Sequence, residues 1–266
     1  MSLPFAKCHA NGNDFILIHS CDFPNELRTK HVISRLCCRH MGIGADGLFV
    51  VSPSDKHDFM LDYYNSDGSW ESLCANGSRC AVQFMYQNAS IKKKTCFLAG
   101  DGSHSAKILN NGQVSMQMKT PEYRSGLISP DGYGGYFINS GARHFVAESD
   151  SLADDFVYQA AHKIRYSDIF QPRGINVNLY QLEDEHSVYV KTYEKCVEKV
   201  VFSCASGSTA VVFHLAKNKL VESPVLVRSS GGNLTVYFDS AWDDVWVEGP
   251  AEILFKGGFM MELISK

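Results

Sequence analysis

Long apolar runs are missing from this 266-residue chain, and none approaches the ~18 residues that a membrane-spanning helix needs. The opening Met1-Ser2-Leu3-Pro4-Phe5-Ala6-Lys7 has no basic stretch followed by an apolar one, so no signal peptide is expected. Gly (21) and Pro (8) are too few for a collagen, and 20% charged residues with 45% hydrophobic ones exclude a disordered tail or a long coiled coil. Excess positive charge is absent as well. The net charge is −4, and Lys92-Lys93-Lys94 reads as the solvated edge of a strand, so nucleic acid is not an expected partner and neither is a membrane. The nine cysteines (8, 21, 37, 38, 74, 80, 96, 196 and 204) are odd in number and contain no CxxC pair. That argues against a disulfide scaffold or a zinc ribbon and for a reducing, cytoplasmic setting. There is no G-x-x-x-x-G-K-[ST], no placed G-x-G-x-x-G and no ligand-like pairing of histidines, so neither a phosphate-bearing cofactor nor a metal is expected.

What the chain does have is an internal repeat. Cys74-Ala75-Asn76-Gly77-Ser78 returns as Cys204-Ala205-Ser206-Gly207-Ser208, 130 positions later. Each copy opens a helical segment, Cys80 to Tyr86 in one and Ala210 to Ala216 in the other. Each follows a strand-like run (Asp58 to Tyr64; Ser187 to Tyr193) and precedes three short alternating runs. These are Thr95 to Ala99, His104 to Leu109 and Gln113 to Met118 in the first half, and Val225 to Ser229, Asn233 to Phe238 and Val245 to Glu248 in the second. Upstream, Asn25 to Arg39 reads as an amphipathic helix whose counterpart is Leu152 to Arg165. The expectation is α+β: two pseudo-symmetric lobes, each a curled, mostly antiparallel sheet around a central helix. The first lobe covers 1–119 and takes back a C-terminal strand at 258–266; the second covers 120–257.

A helix start offers N–H groups without intrahelical partners and the positive end of the dipole. It binds carboxylate and lowers the pKa of a neighbouring thiol. Two such starts, each carrying a cysteine and turned to a shared cleft, would place a small carboxylic acid between a thiolate base and a thiol acid. That arrangement suits removal of a proton from one face of a carbon and its return on the other. Cys8, Cys21, Cys37, Cys38, Cys80 and Cys96 read as small buried apolar residues.

Gly12-Asn13-Asp14-Phe15, Gly42-Ile43-Gly44-Ala45-Asp46-Gly47, Asn65-Ser66-Asp67-Gly68-Ser69 and Cys74 to Cys80 together resemble the diaminopimelate epimerase family. The resemblance continues through Gly141 to His144, Asn176, Thr192-Tyr193-Glu194 and Cys204 to Gly207. It implies a cofactor-independent epimerase that interconverts LL- and meso-diaminopimelate with two cysteines, commonly as a homodimer. It also implies roles: Cys74 and Cys204 in proton transfer, Asn76, Gly77, Ser206 and Gly207 at the carboxylate. Asn13, Asn65 and Asn176 would touch substrate, with His144 and Glu194 beside the reacting centre.

The second half departs from the family pattern. Glu194-Lys195-Cys196 stands where Glu-Arg-Gly is usual, Lys199-Val200-Val201 replaces Gly-Glu-Thr, and Ala142-Arg143-His144 replaces Asn-Pro-His. Lys195 takes the place of an Arg and lacks its bidentate fork. Arg143 is a new cation that either compensates or points into solvent. These changes fall on the substrate's far end, leaving two alternatives: a relative that racemises another amino acid, or a binding module without turnover.

Overall fold

The computed structural model describes residues 2–263. The chain forms two compact units, one of residues 1–116 with 250–266 and one of residues 117–249. No described helix is long and apolar enough to cross a membrane.

The first unit opens with β1 (Ser2–Ala10) and β2 (Asn13–His19), an antiparallel pair whose last rung is Ala10 with Asn13. The two-residue turn is Asn11-Gly12, both at positive φ (52° and 79°), a geometry that Asn-Gly adopts at little cost. The turn delivers Asn13 to the very start of a strand. Next come α1 (Lys30–Cys37), β3 (Gly47–Ser52), β4 (Phe59–Asn65), β5 (Trp70–Glu71), α2 (Ala75–Gln87), β6 (Lys94–Ala99), β7 (Gly102–Ile108) and β8 (Val114–Met118). β2 and β3 run parallel, and β3 and β4 antiparallel. Ile16, Ile18, Leu48 and Val50 of the sheet pack on Val32, Ile33 and Leu36 of α1. Each such burial is worth about 1.5–3 kcal/mol.

The helix expected over Asn25 to Arg39 is shorter than its periodicity suggests. A 3-10 turn at Asn25–Leu27 precedes it, and α1 begins only after Thr29, whose hydroxyl accepts from the Val32 N–H. An internal N-cap residue thus sets the start.

The second unit holds β9 (Glu122–Ile128), β10 (Gly135–Asn139), β11 (Arg143–Glu148), α3 (Asp154–Tyr166), β12 (Asn176–Asp184), β13 (Ser187–Glu194), β14 (Lys199–Val201), α4 (Ala205–Lys217), β15 (Val225–Ser229), β16 (Gly232–Phe238) and β17 (Val245–Gly249). β11 and β12 are parallel, β12 and β13 antiparallel, repeating the β2–β3–β4 arrangement. α3 lays Val157, Ala160, Ala161 and Ile164 on Phe145, Val177 and Leu179 of that sheet. The mixture of curled sheet and central helices is the α+β class read from the sequence.

α2 and α4 are the helices at the centre of their units. Ten of the 13 residues of each are buried. The last strand, β18 (Glu252–Met260), lies antiparallel on β1, with Gly258, Phe259 and Met260 opposite Pro4, Leu3 and Ser2. Of the segment 258–266 expected to return to the first lobe, residues 264–266 lie outside the described residues.

Candidate active site

Both central helices begin in the same way. Cys74 is the N-cap of α2 with φ −134° and ψ 111°, and Cys204 is the N-cap of α4 with φ −136° and ψ 109°. In each the carbonyl of the cysteine accepts from the serine four residues on, Ser78 N and Ser208 N, at 2.9 Å. Neither thiol makes a side-chain cap bond to its helix, which a Ser or Asp in that place would do.

Around the first start, the Cys74 thiol lies 3.9 Å from Asn13 Oδ1, which also accepts from Asn76 Nδ2 at 3.3 Å. Asn13 is held from its other side, its Nδ2 donating to Asp46 Oδ2 at 2.9 Å. Asp46 belongs to a charged lattice with Arg39 and Asp14, and Arg39 Nη2 reaches both carboxylates. Burial opposes ionisation of Asp14, but hydrogen bonds from Arg39 and Lys7 outweigh it and hold this carboxyl at about 2. The Gly42 to Gly47 loop is pinned to the strand, since Asp46 N donates to Asp14 Oδ1 and Lys7 Nζ donates to Gly44 O.

Gly77 is tight for a packing reason: a Cβ there would sit 2.0 Å from the Phe49 ring. Phe49 stacks on Tyr63, whose hydroxyl donates to Asn65 Oδ1 at 2.8 Å. Asn65 Nδ2 in turn donates to Ser69 Oγ, so this asparagine is tied to its own turn.

The second start is built from different groups. The Cys204 thiol lies 3.5 Å from Ser206 Oγ, and Ser206 Oγ lies 2.9 Å from His144 Nε2. Asn178 completes the chain. Its Nδ2 donates to the Phe145 carbonyl and approaches His144 Nδ1 at 3.0 Å, while Thr192 Oγ1 donates to its Oδ1. The Phe145 carbonyl can only accept, so the amide nitrogen faces the imidazole. His144 Nδ1 is therefore the bare nitrogen, and Nε2–H donates to Ser206. Complete burial keeps the ring neutral by pushing it down to about 3. Ser140 Oγ fixes the helix start by donating to Ser206 O. Gly207 leaves room for this relay, because a Cβ there would meet Asn178 Oδ1 at 2.2 Å.

Asn176 pairs with His144 across the parallel ladder, and its Oδ1 accepts from Lys195 N at 2.9 Å. That bond holds the loop between Glu194, at the end of β13, and Lys199. Cys196 sits there at φ 72°, the left-handed region that a glycine occupies without strain. Arg143 does not simply point into solvent. Its Nε donates to Gly174 O at 3.0 Å and its guanidinium lies over the Phe137 ring.

The sequence reading did not single out Asn178, Asp46, Asn11 or Arg79 for roles at the site. Asn178 carried a signal, being a polar residue between Val177 and Leu179 in a buried strand, where an amide must find partners.

Comparison with known proteins agrees with these motifs. The family model for diaminopimelate epimerase matches residues 5–123. The diaminopimelate epimerase of Flavobacterium psychrophilum is 37% identical over 256 residues, covering 94% of this chain and 97% of that one. That of Aquifex aeolicus is 32% identical, covering 99% and 100%. Among solved structures, a hydroxyproline epimerase from Agrobacterium vitis with bound trans-4-hydroxy-L-proline superposes with a TM-score of 0.76 at 13% identity, covering 97% of this chain and 91% of that one. A phenazine biosynthesis protein of the PhzF family from Bacillus anthracis gives 0.74 at 12%, covering 98% and 100%. These two share the fold, while the full-length sequence relatives decide the lineage: the chain belongs to the diaminopimelate epimerase family.

Proposed function

We propose that the protein interconverts LL- and meso-diaminopimelate by moving one α-proton between two cysteines. The observation that carries this reading is the doubled helix start, a cysteine N-cap on each central helix with matching backbone angles. In the proposed mechanism the first-turn N–H groups at Asn76, Gly77, Ser206 and Gly207 take the α-carboxylate. There the helix dipoles stabilise the charge that grows as the proton leaves. Cys74 and Cys204 serve opposite faces of the same carbon. A thiolate removes the proton as the C–H bond breaks, its electron pair moves toward the carboxylate, and the facing thiol gives its own proton to the other side. The product leaves the two cysteines with their ionisation exchanged.

The surroundings of each cysteine fit these duties. Asn13, held by Asp46, presents an acceptor to the Cys74 thiol. Neutral His144 presents its N–H to Ser206 beside Cys204. At the far end of the substrate we place Asn65, Asn176, Glu194, Lys195 and Arg143. The exposed free thiols of Cys21, Cys96 and Cys196 suit a reducing cytosol, where we place the enzyme as a homodimer in keeping with the family resemblance.

The test is a panel of amino acids incubated with the protein in deuterated water. Exchange at the α-carbon of diaminopimelate, and at no simple apolar amino acid, supports the reading. Exchange confined to another amino acid moves the chain to a different substrate within the same chemistry, and no exchange with any amino acid leaves a binding module.

A further inference from the structure

The two repeats fill the same rungs beneath the central helix with opposite chemistry. In the first unit Phe15 lies on the rung with Gly47, and Phe49 on the rung with Tyr63. Their rings form one group, with centroids 5.4 Å apart for Phe15 and Phe49 and 4.7 Å for Phe49 and Tyr63. In the second unit the corresponding rungs pair His144 with Asn176 and Asn178 with Thr192. His144, Asn178 and Thr192 are all buried. Both groups lie against a helix-start glycine: a Cβ at 77 meets the Phe49 ring, and a Cβ at 207 meets Asn178 Oδ1 and, at 3.2 Å, Thr192 Oγ1. This place in the fold accepts apolar rings, so packing alone does not call for three polar side chains there. Buried as they are, they cost stability unless hydrogen bonds answer them.

Those bonds run in one direction. Thr192 Oγ1 donates to Asn178 Oδ1, Asn178 Nδ2 faces the bare His144 Nδ1, and His144 Nε2–H donates to Ser206 Oγ. With its oxygen accepting from the imidazole, the Ser206 hydroxyl has its own proton to give, and the Cys204 sulfur lies 3.5 Å away. Donors in series polarise one another. At Cys74 the sulfur meets an acceptor instead. Arg79 Nη2 donates to Asn11 Oδ1 and Asn76 Oδ1, and Asn76 Nδ2 donates to Asn13 Oδ1, the oxygen beside the Cys74 thiol.

We propose that Asn178 is a positioning residue which, through His144, makes Ser206 a hydrogen-bond donor to the Cys204 sulfur and so stabilises the thiolate form of that cysteine. A hydrogen bond given to the charged form of a group favours that form. Other titratable groups stand on α4 and on the strands packed against it, β11, β12, β13 and β16. Arg143 is bonded to Gly174 O, Glu148 lies opposite Tyr180, Glu183 pairs with Arg228, and Asp184 accepts from His186 N. Lys191 pairs with Asp154, Tyr189 lies opposite Gln181, Tyr193 packs on Tyr158, and Glu194 lies opposite Lys199. Tyr237 lies opposite Trp246, His214 meets the Tyr123 hydroxyl, and Lys217 covers the Phe213 ring. All of these stay in place when Asn178 or Ser206 is replaced, so a shift between variants reports the relay.

The inference rests on the reading of Cys204 as one of the two proton-transfer cysteines, and its test needs no turnover. In protein labelled with 13C at cysteine Cβ, the Cys204 resonance, assigned by its loss in Cys204→Ala, gives the thiol titration midpoint directly. Ser206→Ala should raise that midpoint by about one unit or more. Asn178→Leu, close in size, should raise it as well, and should add nothing once Ser206 is already Ala. A merely structural role for Asn178 would shift the midpoint equally in both backgrounds, and that result overturns the proposal. So does an unchanged midpoint in folded Ser206→Ala. The 15N shifts of His144 in the native protein should show the proton on Nε2, and a proton on Nδ1 refutes the relay even if Asn178→Leu does not fold. A relay-dependent midpoint without any turnover of diaminopimelate would fault the functional reading alone.

Discussion

His144 Nε2 stands 2.9 Å from Ser206 Oγ, and the amide of Asn178 on the opposite ring nitrogen fixes the direction of that bond. The ring is neutral because burial opposes its charge, with a folded pKa of about 3 against an ordinary 6.5. Above about pH 6.5 both folded and unfolded chains carry it neutral, and its burial costs nothing in protons. Below that, the unfolded chain binds a proton the folded chain refuses, so stability falls by up to about 1.4 kcal/mol per pH unit until about pH 3. His144→Gln should flatten this part of the acid limb of stability in denaturant titrations. An identical limb in both proteins would mean that His144 protonates in the folded state.

The two helix-start glycines predict different defects. A methyl at 77 meets the Phe49 ring, an apolar neighbour in a packed core. Gly77→Ala should therefore cost about 1–3 kcal/mol of stability through overpacking. A methyl at 207 meets Asn178 Oδ1, part of the relay to Cys204. Gly207→Ala should lower kcat more than it raises KM, by displacing Asn178 and with it His144. Thermal melts and steady-state kinetics on the two variants separate these effects.

Cys196 holds a left-handed conformation on an exposed loop, with its N–H bonded to Glu198 Oε1. Cys196→Gly relieves the steric strain while raising the entropy of the unfolded chain. The net expectation is a gain of up to about 1 kcal/mol, read as a higher denaturant midpoint at unchanged slope. A loss would show that the side chain makes a stabilising contact.

The far carboxylate of diaminopimelate needs a cation, and the second unit offers Lys195 and Arg143. Removing the partner of a desolvated carboxylate costs about 3–5 kcal/mol. Lys195→Ala and Arg143→Ala together should lower kcat/KM by roughly two to three orders of magnitude or more, and the single variant with the larger share identifies the partner. Full activity in both singles and in the double variant would assign the distal site to another substrate.

Much of this was legible in the sequence because a repeat constrains many residues at once. The offset between Cys74 and Cys204 located both helix starts, and alternating runs such as Val225 to Ser229 located strands to within a residue or two. The missed features depend on pairings distant in sequence. Asn178 meets His144 only because β11 and β12 run parallel, and Arg79 is buried against Asn11 only because α2 lies across the first hairpin. Thr29 ended an apparently longer helix because one hydroxyl captured an N–H, an event that periodicity does not register. Asn65 and Asn176 were read from family motifs as substrate contacts. What the fold shows of their side chains is the local work of holding Ser69 and Lys195.

The central claim is that both cysteines are needed to carry one proton across a carbon of diaminopimelate. It is tested most directly by the α-deuterium content of LL-diaminopimelate and its product in deuterated water, with the native protein, Cys74→Ala and Cys204→Ala. The native protein should yield meso product carrying one α-deuterium. Each variant should form it about 10²–10⁴-fold more slowly or not at all, the range expected for loss of a general acid or base. Either folded variant forming deuterated meso product at the native rate would contradict the account.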